Sequence, residues 1–264
     1  MVEQLARHER HFTKGMSPLS ESAVDLLERV GIDAFKIASG DITWDRLIRR
    51  AAATGKPIVM STGMATLAET AHAVASARLG GATAIALLHC VSAYPVPEGS
   101  ENLNAIATLA QAFSVPVGLS DHGGDGSALP LAVAIGASLY ERHIVTSKDD
   151  GSIDAEVSSD PDALARMVRE AARVTEALGT GEKVCLLAEA PNRTASRRAL
   201  YATRELKAGH IISAADVVAL RPEMGLRANR YADVIGARLE RDLEPGMPFL
   251  ESDVLHSLDV SHVA

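Results

Sequence analysis

The chain has 264 residues, 47% of them hydrophobic, which is enough for one large domain or a large and a small one. A net charge of -8 and a pI near 5.6 exclude general attraction to nucleic acid or anionic membrane, so we expect neither as a partner. No apolar stretch has the length of a signal-peptide core or a membrane span, so we expect a cytoplasmic protein. Cys90 and Cys185 lack CxxC spacing and are expected to be reduced thiols.

Five short apolar runs, each followed by a helix-like stretch, predict consecutive βα units of a parallel sheet. The predicted strands are, in chain order, 34–38, 57–61, 84–89, 115–119 and 138–142. The predicted helices are 20–30, with Ser20 as N-cap, 44–53, 67–79, 103–113, 128–135 and 162–178. Residues 11–18 (HFTKGMSP) are at best the remnant of one more strand.

The expected fold class is therefore α/β, a TIM-type (β/α) barrel with about five to six βα units instead of the eight that close a barrel. Either the barrel is incomplete as encoded, or the true start lies upstream of Met1. An open parallel sheet leaves strand edges that need a cover.

The composition changes after Gly179, and this change predicts the domain organisation. We expect a partial barrel over 1–179, a polar and irregular linker over 180–195, a small β-rich domain over 196–256 and a disordered tail over 257–264. Two turn sequences, 207–209 (KAG) and 244–246 (EPG), occupy matching places in the two halves of the small domain.

Polar side chains that can carry chemistry follow the C-terminal ends of the predicted strands. In a βα barrel the loops at these ends build the active site. We therefore expect one shared opening lined by Lys36, Ser39, Ser61, His89, Ser92, His122, Glu141 and His143.

The sequences KIASGDI, STGMAT, LLHCVSAYP, GLSDH and ERH, in this order and with these gaps, resemble the sialic acid synthase (N-acetylneuraminate synthase) family. The C-terminal module is similar to that family's SAF, or antifreeze-like, domain, which is a β-clip fold. The resemblance implies condensation of phosphoenolpyruvate with an N-acetylated amino sugar. It also implies a divalent metal and a domain-swapped homodimer in which each small domain caps the partner's barrel.

The resemblance implies that His122 and His143 are the metal ligands. An ion with two protein nitrogens and otherwise water or substrate oxygens suits Mn²⁺ or Mg²⁺ better than a structural zinc. A metal of this kind would polarise the sugar carbonyl as a Lewis acid. The alternative is that each histidine caps its own strand by a hydrogen bond.

Lys36 ends an apolar strand, where a lysine is either a surface residue or an anion ligand inside the opening. The family match implies that Lys36 holds the phosphate or carboxylate of phosphoenolpyruvate, with hydroxyl hydrogen bonds from Ser39, Ser61 and Ser120. Each serine alone is equally compatible with a turn or cap.

The remaining site residues are assigned through the same match. Glu141 would handle a proton on the sugar or the attacking water, unless it pairs with Arg142 or Lys148. Asp154 would contact the amino sugar, unless it only forms a turn. Tyr94, beside Pro95, would shape the sugar pocket.

Ser92 stands where many relatives have Asn or Ser, and Asp41 stands where relatives usually have Glu. Arg221 would reach the neighbouring subunit's site to hold the N-acetyl group, unless it is simply a solvated arginine.

Departures from the family pattern leave two main hypotheses. Relatives usually read SDHT where this chain has SDHG at 120–123, and their GPDH-type loop is here 152–155 (SIDA). The first strands of the barrel, which supply a Glu, a Lys and an Asn in the family, are missing from the predicted series. The chain is therefore a synthase that a longer start or another chain completes, or a degenerate homologue that binds a sugar or a partner.

A third hypothesis is a binding module in which the small domain acts alone. The precursor of neuraminic, legionaminic or pseudaminic acid stays open as the sugar. His89 leans slightly toward the neuraminic and legionaminic branch, because the pseudaminic branch often has Lys there.

Overall fold

The computed structural model describes residues 14–149 and 151–255, and the chain divides after Gly181 into two compact units. The predicted tail, 257–264, and the first part of the predicted strand remnant, 11–13, lie outside the described residues. None of the helices in the described ranges combines the length and the apolar character that crossing a membrane requires.

The first unit contains one parallel sheet whose six strands lie side by side in chain order. This order, with a helix after almost every strand, confirms the predicted open α/β barrel of five to six units. Among the described strands, β1 pairs only with β2 and β6 only with β5, so both edges are open. The strands are β1 (Gly15–Met16), β2 (Ala34–Ile37), β3 (Ile58–Ser61), β4 (Ile85–Cys90), β5 (Val117–Asp121) and β6 (Tyr140–Arg142).

The helices of this unit begin at the capping residues that the sequence offers. The Ser20 hydroxyl accepts a hydrogen bond from Ala23 N–H, and Thr66 with Glu69 forms a complete capping box. Asp160 caps the last helix, which has Pro161 in its first turn. The helices are α1 (Glu21–Val30), α2 (Asp45–Ala52), α3 (Leu67–Leu79), α4 (Ala105–Phe113), α5 (Ala128–Ala134) and α6 (Pro161–Leu178).

The two faces of the sheet differ in character, because successive side chains of a strand point to opposite sides. The outer face packs on the helices and forms the apolar core, with Phe35, Ile58, Leu87 and Leu119 among its buried members. The inner face takes the alternate positions, which include Lys36, Ser61, Cys90, Ser120 and Glu141. These strands therefore have one apolar face and one face with polar side chains, and the polar side chains lie together on the concave side of the sheet.

The sheet curls strongly, as one long-range contact demonstrates. Lys36 of β2 and Glu141 of β6 belong to strands separated by three others, which in a flat sheet would be about 19 Å apart. Their side chains nevertheless form an ion pair with Nζ and Oε2 3.4 Å apart. The inner face is therefore the inside of a partial barrel.

The second unit contains short strands and turns around its own core, in which Leu200, Leu206 and Phe249 are buried. Strand β7 (Ala199–Ala202) pairs antiparallel with β8 (Val217–Leu220), and β9 (Arg238–Leu239) pairs antiparallel with β10 (Val254–Leu255). The short helix α8 (Tyr231–Val234) lies between β8 and β9 in the chain.

The two halves of this unit repeat one arrangement, which the matching turn sequences anticipated. Asp216 and Asp253 are both fully buried, and each forms an ion pair with an arginine from the other side of a turn, Arg204 and Arg241 respectively.

Two features differ from the sequence prediction. The predicted irregular linker includes a 3-10 turn, Leu187–Glu189, followed by the exposed helix α7 (Ala190–Ser196), so the prediction of an irregular segment is wrong there. Pro191 lies in the first turn of that helix, where its fixed φ is favourable. The polar sequence around it hid this signal of a helix start. The possible strand remnant is a real strand of two residues, β1.

Candidate active site

Two histidine rings meet at the C-terminal end of the sheet. His122 directly follows β5 and His143 directly follows β6, and both take the inner face by strand alternation. Their ring centroids are 5.2 Å apart, and Tyr94 stacks on His122 at 4.2 Å. The two imidazoles therefore lie together at one place, as the sequence predicts.

Each of these rings has its Nδ1 engaged by the protein. His122 Nδ1 is 3.3 Å from the Val91 carbonyl oxygen, and His143 Nδ1 is 3.5 Å from Asp154 Oδ2. A ring whose Nδ1 contacts a carbonyl or carboxylate has its Nε2 oriented as a ligand, the usual arrangement around metal-binding histidines. In the ranges 14–149 and 151–255, no three His, Cys, Asp or Glu side chains are grouped to hold a metal. An ion held here would take two imidazole nitrogens from the protein and complete its shell with water or substrate oxygens.

The surroundings of His122 and Cys90 shift the pKa values of the two groups in opposite directions. Burial would lower the pKa of His122, but its contacts with the Cys90 thiol and the Val91 carbonyl raise that pKa above the usual value. Burial would raise the pKa of Cys90, but hydrogen bonding to His122 and to two serine hydroxyls lowers it. The pKa of Tyr94 is raised by burial and by the negative charges of Cys90 and Asp154 around it.

Lys36, Glu141 and Ser120 form a second cluster on the same inner face. Glu141 Oε1 accepts a 2.6 Å hydrogen bond from the Ser120 hydroxyl, and its Oε2 forms the ion pair with Lys36. Lys36 is mostly buried, with 16% of its side chain exposed, so its ammonium group lies inside the curled sheet. Glu141 does not pair with Arg142 or Lys148, the alternative partners that the sequence suggested, because both bind elsewhere.

Three small polar side chains close around Gly63 in the loop after β3. Gly63 N–H donates to the Ser39 hydroxyl at 3.0 Å, and a Cβ at this position would lie 2.8 Å from Ser39 Oγ and 3.0 Å from Cys90 Sγ and overlap Ser92 Oγ. Only glycine fits here without displacing these groups. Sequence analysis missed Gly63, although it stands inside the STGMAT motif.

Ser61 is the one buried side chain in the described residues with a polar atom that lacks a hydrogen-bond partner. It is 2% exposed and lies on the inner face with Lys36. Buried hydroxyl groups are almost always hydrogen-bonded, so an unpaired one on the same face as a mostly buried lysine is suited to a ligand oxygen.

The NeuB family matches residues 4–183, which is most of the chain, and the SAF domain matches residues 197–255. The chain belongs to the NeuB family. The fold, with a partial barrel followed by a SAF domain, agrees with the one expected from the motifs.

Relatives of this NeuB-family chain include N,N'-diacetyllegionaminic acid synthase of Campylobacter jejuni, 35% identical over 83% of this chain and 66% of that protein. Pseudaminic acid synthase of Helicobacter pylori is 34% identical over 92% of this chain and 71% of that protein. The crystal structure of a putative spore coat polysaccharide biosynthesis protein E from Chromobacterium violaceum superposes with a TM-score of 0.80, at 30% identity, over 97% of this chain and 79% of that one. The chain spans about two thirds of the length of the curated relatives it matches.

Not every predicted residue of this NeuB-family chain reaches the inner face. His89 lies on the outer face, where its Nε2 is 2.7 Å from the Glu101 carbonyl oxygen, so the expectation that it faces the shared opening is wrong. Asp41 ends the 3-10 turn Ser39–Asp41 and is half-buried. Arg221 is exposed and belongs to the second unit.

Proposed function

We propose that this chain is the synthase part of a sialic-acid-type pathway: it condenses phosphoenolpyruvate with an N-acylated hexosamine and releases phosphate. The observation that carries the proposal is the meeting of two imidazoles, a buried ammonium group, a carboxylate and several hydroxyls on the inner face of one curled sheet. The named synthase relatives support the reaction class.

The anion would bind beside Lys36. Its ammonium group provides the charge for the phosphate or carboxylate of phosphoenolpyruvate, and the unpaired Ser61 hydroxyl can donate a hydrogen bond without breaking an existing one. Ser39 and Ser92, around Gly63, and Ser120, next to Glu141, offer further hydroxyls to the same ligand. Hydroxyl groups and one cation on the same side of the sheet suit an anionic substrate in an otherwise acidic protein.

The sugar would bind over the histidines. Tyr94 stacks on His122 and so provides a wall for the sugar, while Asp154, held near His143, can accept hydrogen bonds from sugar hydroxyl or amide groups. Asp41 would add a shorter sugar contact than the Glu that the family usually has. The precursor of neuraminic, legionaminic or pseudaminic acid remains open, since relatives of two of these types are about equally similar.

His122 and His143 would hold Mn²⁺ or Mg²⁺ through their Nε2 atoms. Such an ion, when bound, polarises the aldehyde oxygen of the sugar so that the enol carbon of phosphoenolpyruvate can attack. Glu141 would then move the proton of the attacking water or the sugar oxygen, while the Ser120 hydroxyl and Lys36 hold its two oxygens in place.

We infer that the active form is a homodimer in which Arg221 of one chain holds the N-acyl group in the partner's site. The exposure of Arg221 in the SAF domain supports this inference, because the side chain is accessible there. An inactive Arg221→Ala protein mixed with an inactive His122→Ala protein should then regain part of the activity. Two proteins that stay inactive together would contradict the shared site.

The direct test measures phosphate released from phosphoenolpyruvate by the purified protein. Release should require both an N-acylated hexosamine and Mn²⁺, and His122→Ala should abolish it. His72→Ala is the matched control, because His72 is exposed on α3 and binds only Asp45. Full activity in His122→Ala would refute the assignment.

The open edges of the sheet favour one second candidate, a degenerate homologue that binds a sugar or a partner without turnover. Calorimetry that detects sugar binding together with no phosphate release, under conditions where a named synthase relative turns over, would favour it. Any turnover by this chain would exclude it.

A further inference from the structure

Asp121 and Arg142 directly precede the two histidines and form a buried ion pair on the outer face of the sheet. They are register partners across β5 and β6, and Arg142 Nη1 is 2.9 Å from Asp121 Oδ2. Their side chains are only 4% and 2% exposed. The sequence suggested Arg142 only as a possible partner of Glu141 and suggested no role for Asp121.

Asp121 fixes the backbone on both sides of His122. Its Oδ1 accepts a 2.8 Å hydrogen bond from Gly123 N–H, so one carboxylate ties the residue before His122 to the residue after it. Its Oδ2 also accepts a 2.6 Å hydrogen bond from the Tyr140 hydroxyl of the neighbouring strand. The loop that carries His122 is therefore anchored to β6 by charge-assisted hydrogen bonds.

Arg142 fixes the backbone around His143 in the same way. Its Nε donates a 2.9 Å hydrogen bond to the Ser159 hydroxyl, and Ser159 N–H donates in turn to the His143 carbonyl oxygen at 2.8 Å. Its Nη2 is 3.4 Å from the Gly124 carbonyl oxygen, two residues after His122. A single guanidinium group thus contacts the chain segments that carry both histidines.

A buried ion pair seldom stabilises a fold more than well-packed hydrophobic groups do, so stability alone does not explain this pair. A planar, multidentate group is suited instead to fixing geometry. We propose that Asp121 and Arg142 are positioning residues that set the separation of the His122 and His143 imidazoles. The proposal rests on the proposed function, in which these two rings share one divalent cation.

The test is the affinity of the whole chain for Mn²⁺, measured without substrate from the electron paramagnetic resonance signal of free Mn²⁺. Arg142→Lys keeps the positive charge but loses the planar guanidinium group. Ser159→Ala keeps the ion pair but removes the hydroxyl that links Arg142 to residue 159, whose N–H binds the His143 carbonyl oxygen. We expect both to weaken Mn²⁺ binding, with Arg142→Lys losing about 10-fold or more, the range known for partners of metal ligands.

Ile48→Val is the control for a merely structural role, because Ile48 is fully buried in α2 and belongs to the apolar core. It should lower the melting temperature and leave Mn²⁺ affinity unchanged. If Arg142→Lys and Ser159→Ala bind Mn²⁺ as tightly as the unsubstituted protein, the positioning role is overturned while the metal site stands. If the unsubstituted protein binds no Mn²⁺, the proposed metal site is overturned, and the inference falls with it.

Discussion

The outer face of the sheet in the first unit is mostly apolar and covered by helices, apart from His89 and the Asp121–Arg142 ion pair near the strand ends. The inner face of the same strands carries an ammonium group, hydroxyls and a carboxylate. Neighbouring residues in one strand therefore have different surroundings and different roles. Ile37 belongs to the core, and Lys36 beside it lies inside the curled sheet. The comparison teaches that strand alternation separates the apolar core from the residues that bind. Changes in that core, away from the Asp121–Arg142 pair, and changes on the inner face should therefore have separable effects.

The largest expected effect lies on the inner face. Glu141→Gln keeps the shape of the side chain and its hydrogen bond to Ser120 but removes the base, so phosphate release should fall about 10²–10⁴-fold. The melting temperature should fall far less than the rate does, because Glu141 is 41% exposed, although the mostly buried Lys36 loses its partner. Steady-state kinetics beside thermal melting checks both statements. A large loss of stability with normal turnover would reverse the assignment of the face.

The outer face should respond in the opposite way. Leu87→Ala removes a fully buried side chain from the apolar core, so the free energy of unfolding should fall by about 2–5 kcal/mol. Urea unfolding measures the loss. The Mn²⁺ affinity, measured at a temperature where the variant is folded, should stay near that of the unsubstituted protein. Weaker Mn²⁺ binding in this folded variant would mean that the apolar core and the inner face are not separable.

The buried carboxylate of Asp216, in the second unit, is not part of the candidate active site. It therefore gives a comparison in which only stability is at stake. Burial would raise the pKa of Asp216, but hydrogen bonds from His210, Ser213 and Arg204 hold it well below its usual range. A lowered folded-state pKa stabilises the fold above the unfolded pKa, near 3.8, and this contribution is lost as the pH falls through the folded pKa.

Asp216→Asn should therefore destabilise the protein at neutral pH by about 1–3 kcal/mol, because buried donors lose their charged acceptor. The difference between variant and unsubstituted protein should shrink as the pH is lowered from about 5 toward 2. Urea unfolding at several pH values measures it. A difference that is constant over that pH interval would show that the charge of Asp216 is not what stabilises the unit.

Much of the fold could be predicted because local signals agree with it. The Ser20 N-cap, the glycines after the helices and the apolar runs mark α1 to α6 and β2 to β6 to within about two residues. Strand β1 could not be predicted securely, because two residues carry no periodicity. Helix α7 was missed because its sequence is polar throughout and its only start signal is a proline.

The sequence predicted which strand ends carry the site. It did not predict which face each side chain takes or which residue of another strand it contacts. His89 and Cys90 are adjacent in sequence, yet they take opposite faces of β4, and no local signal says which of them faces inward. The partners of Glu141 and Arg142 depend on the same alternation, which gives Lys36 to one and Asp121 to the other. The register of the strands and the curl of the sheet decide these contacts, and neither can be deduced from the sequence of a single strand.

The central claim is that His122 and His143 hold one divalent cation between them. The most direct measurement is a Mn²⁺ titration of the unsubstituted protein, His122→Ala, His143→Ala and the control His72→Ala, with folding checked by circular dichroism. The account predicts one Mn²⁺ per chain in the unsubstituted protein and in His72→Ala, and no measurable binding in either of the other two folded variants. Unchanged Mn²⁺ affinity in His122→Ala or His143→Ala would contradict it.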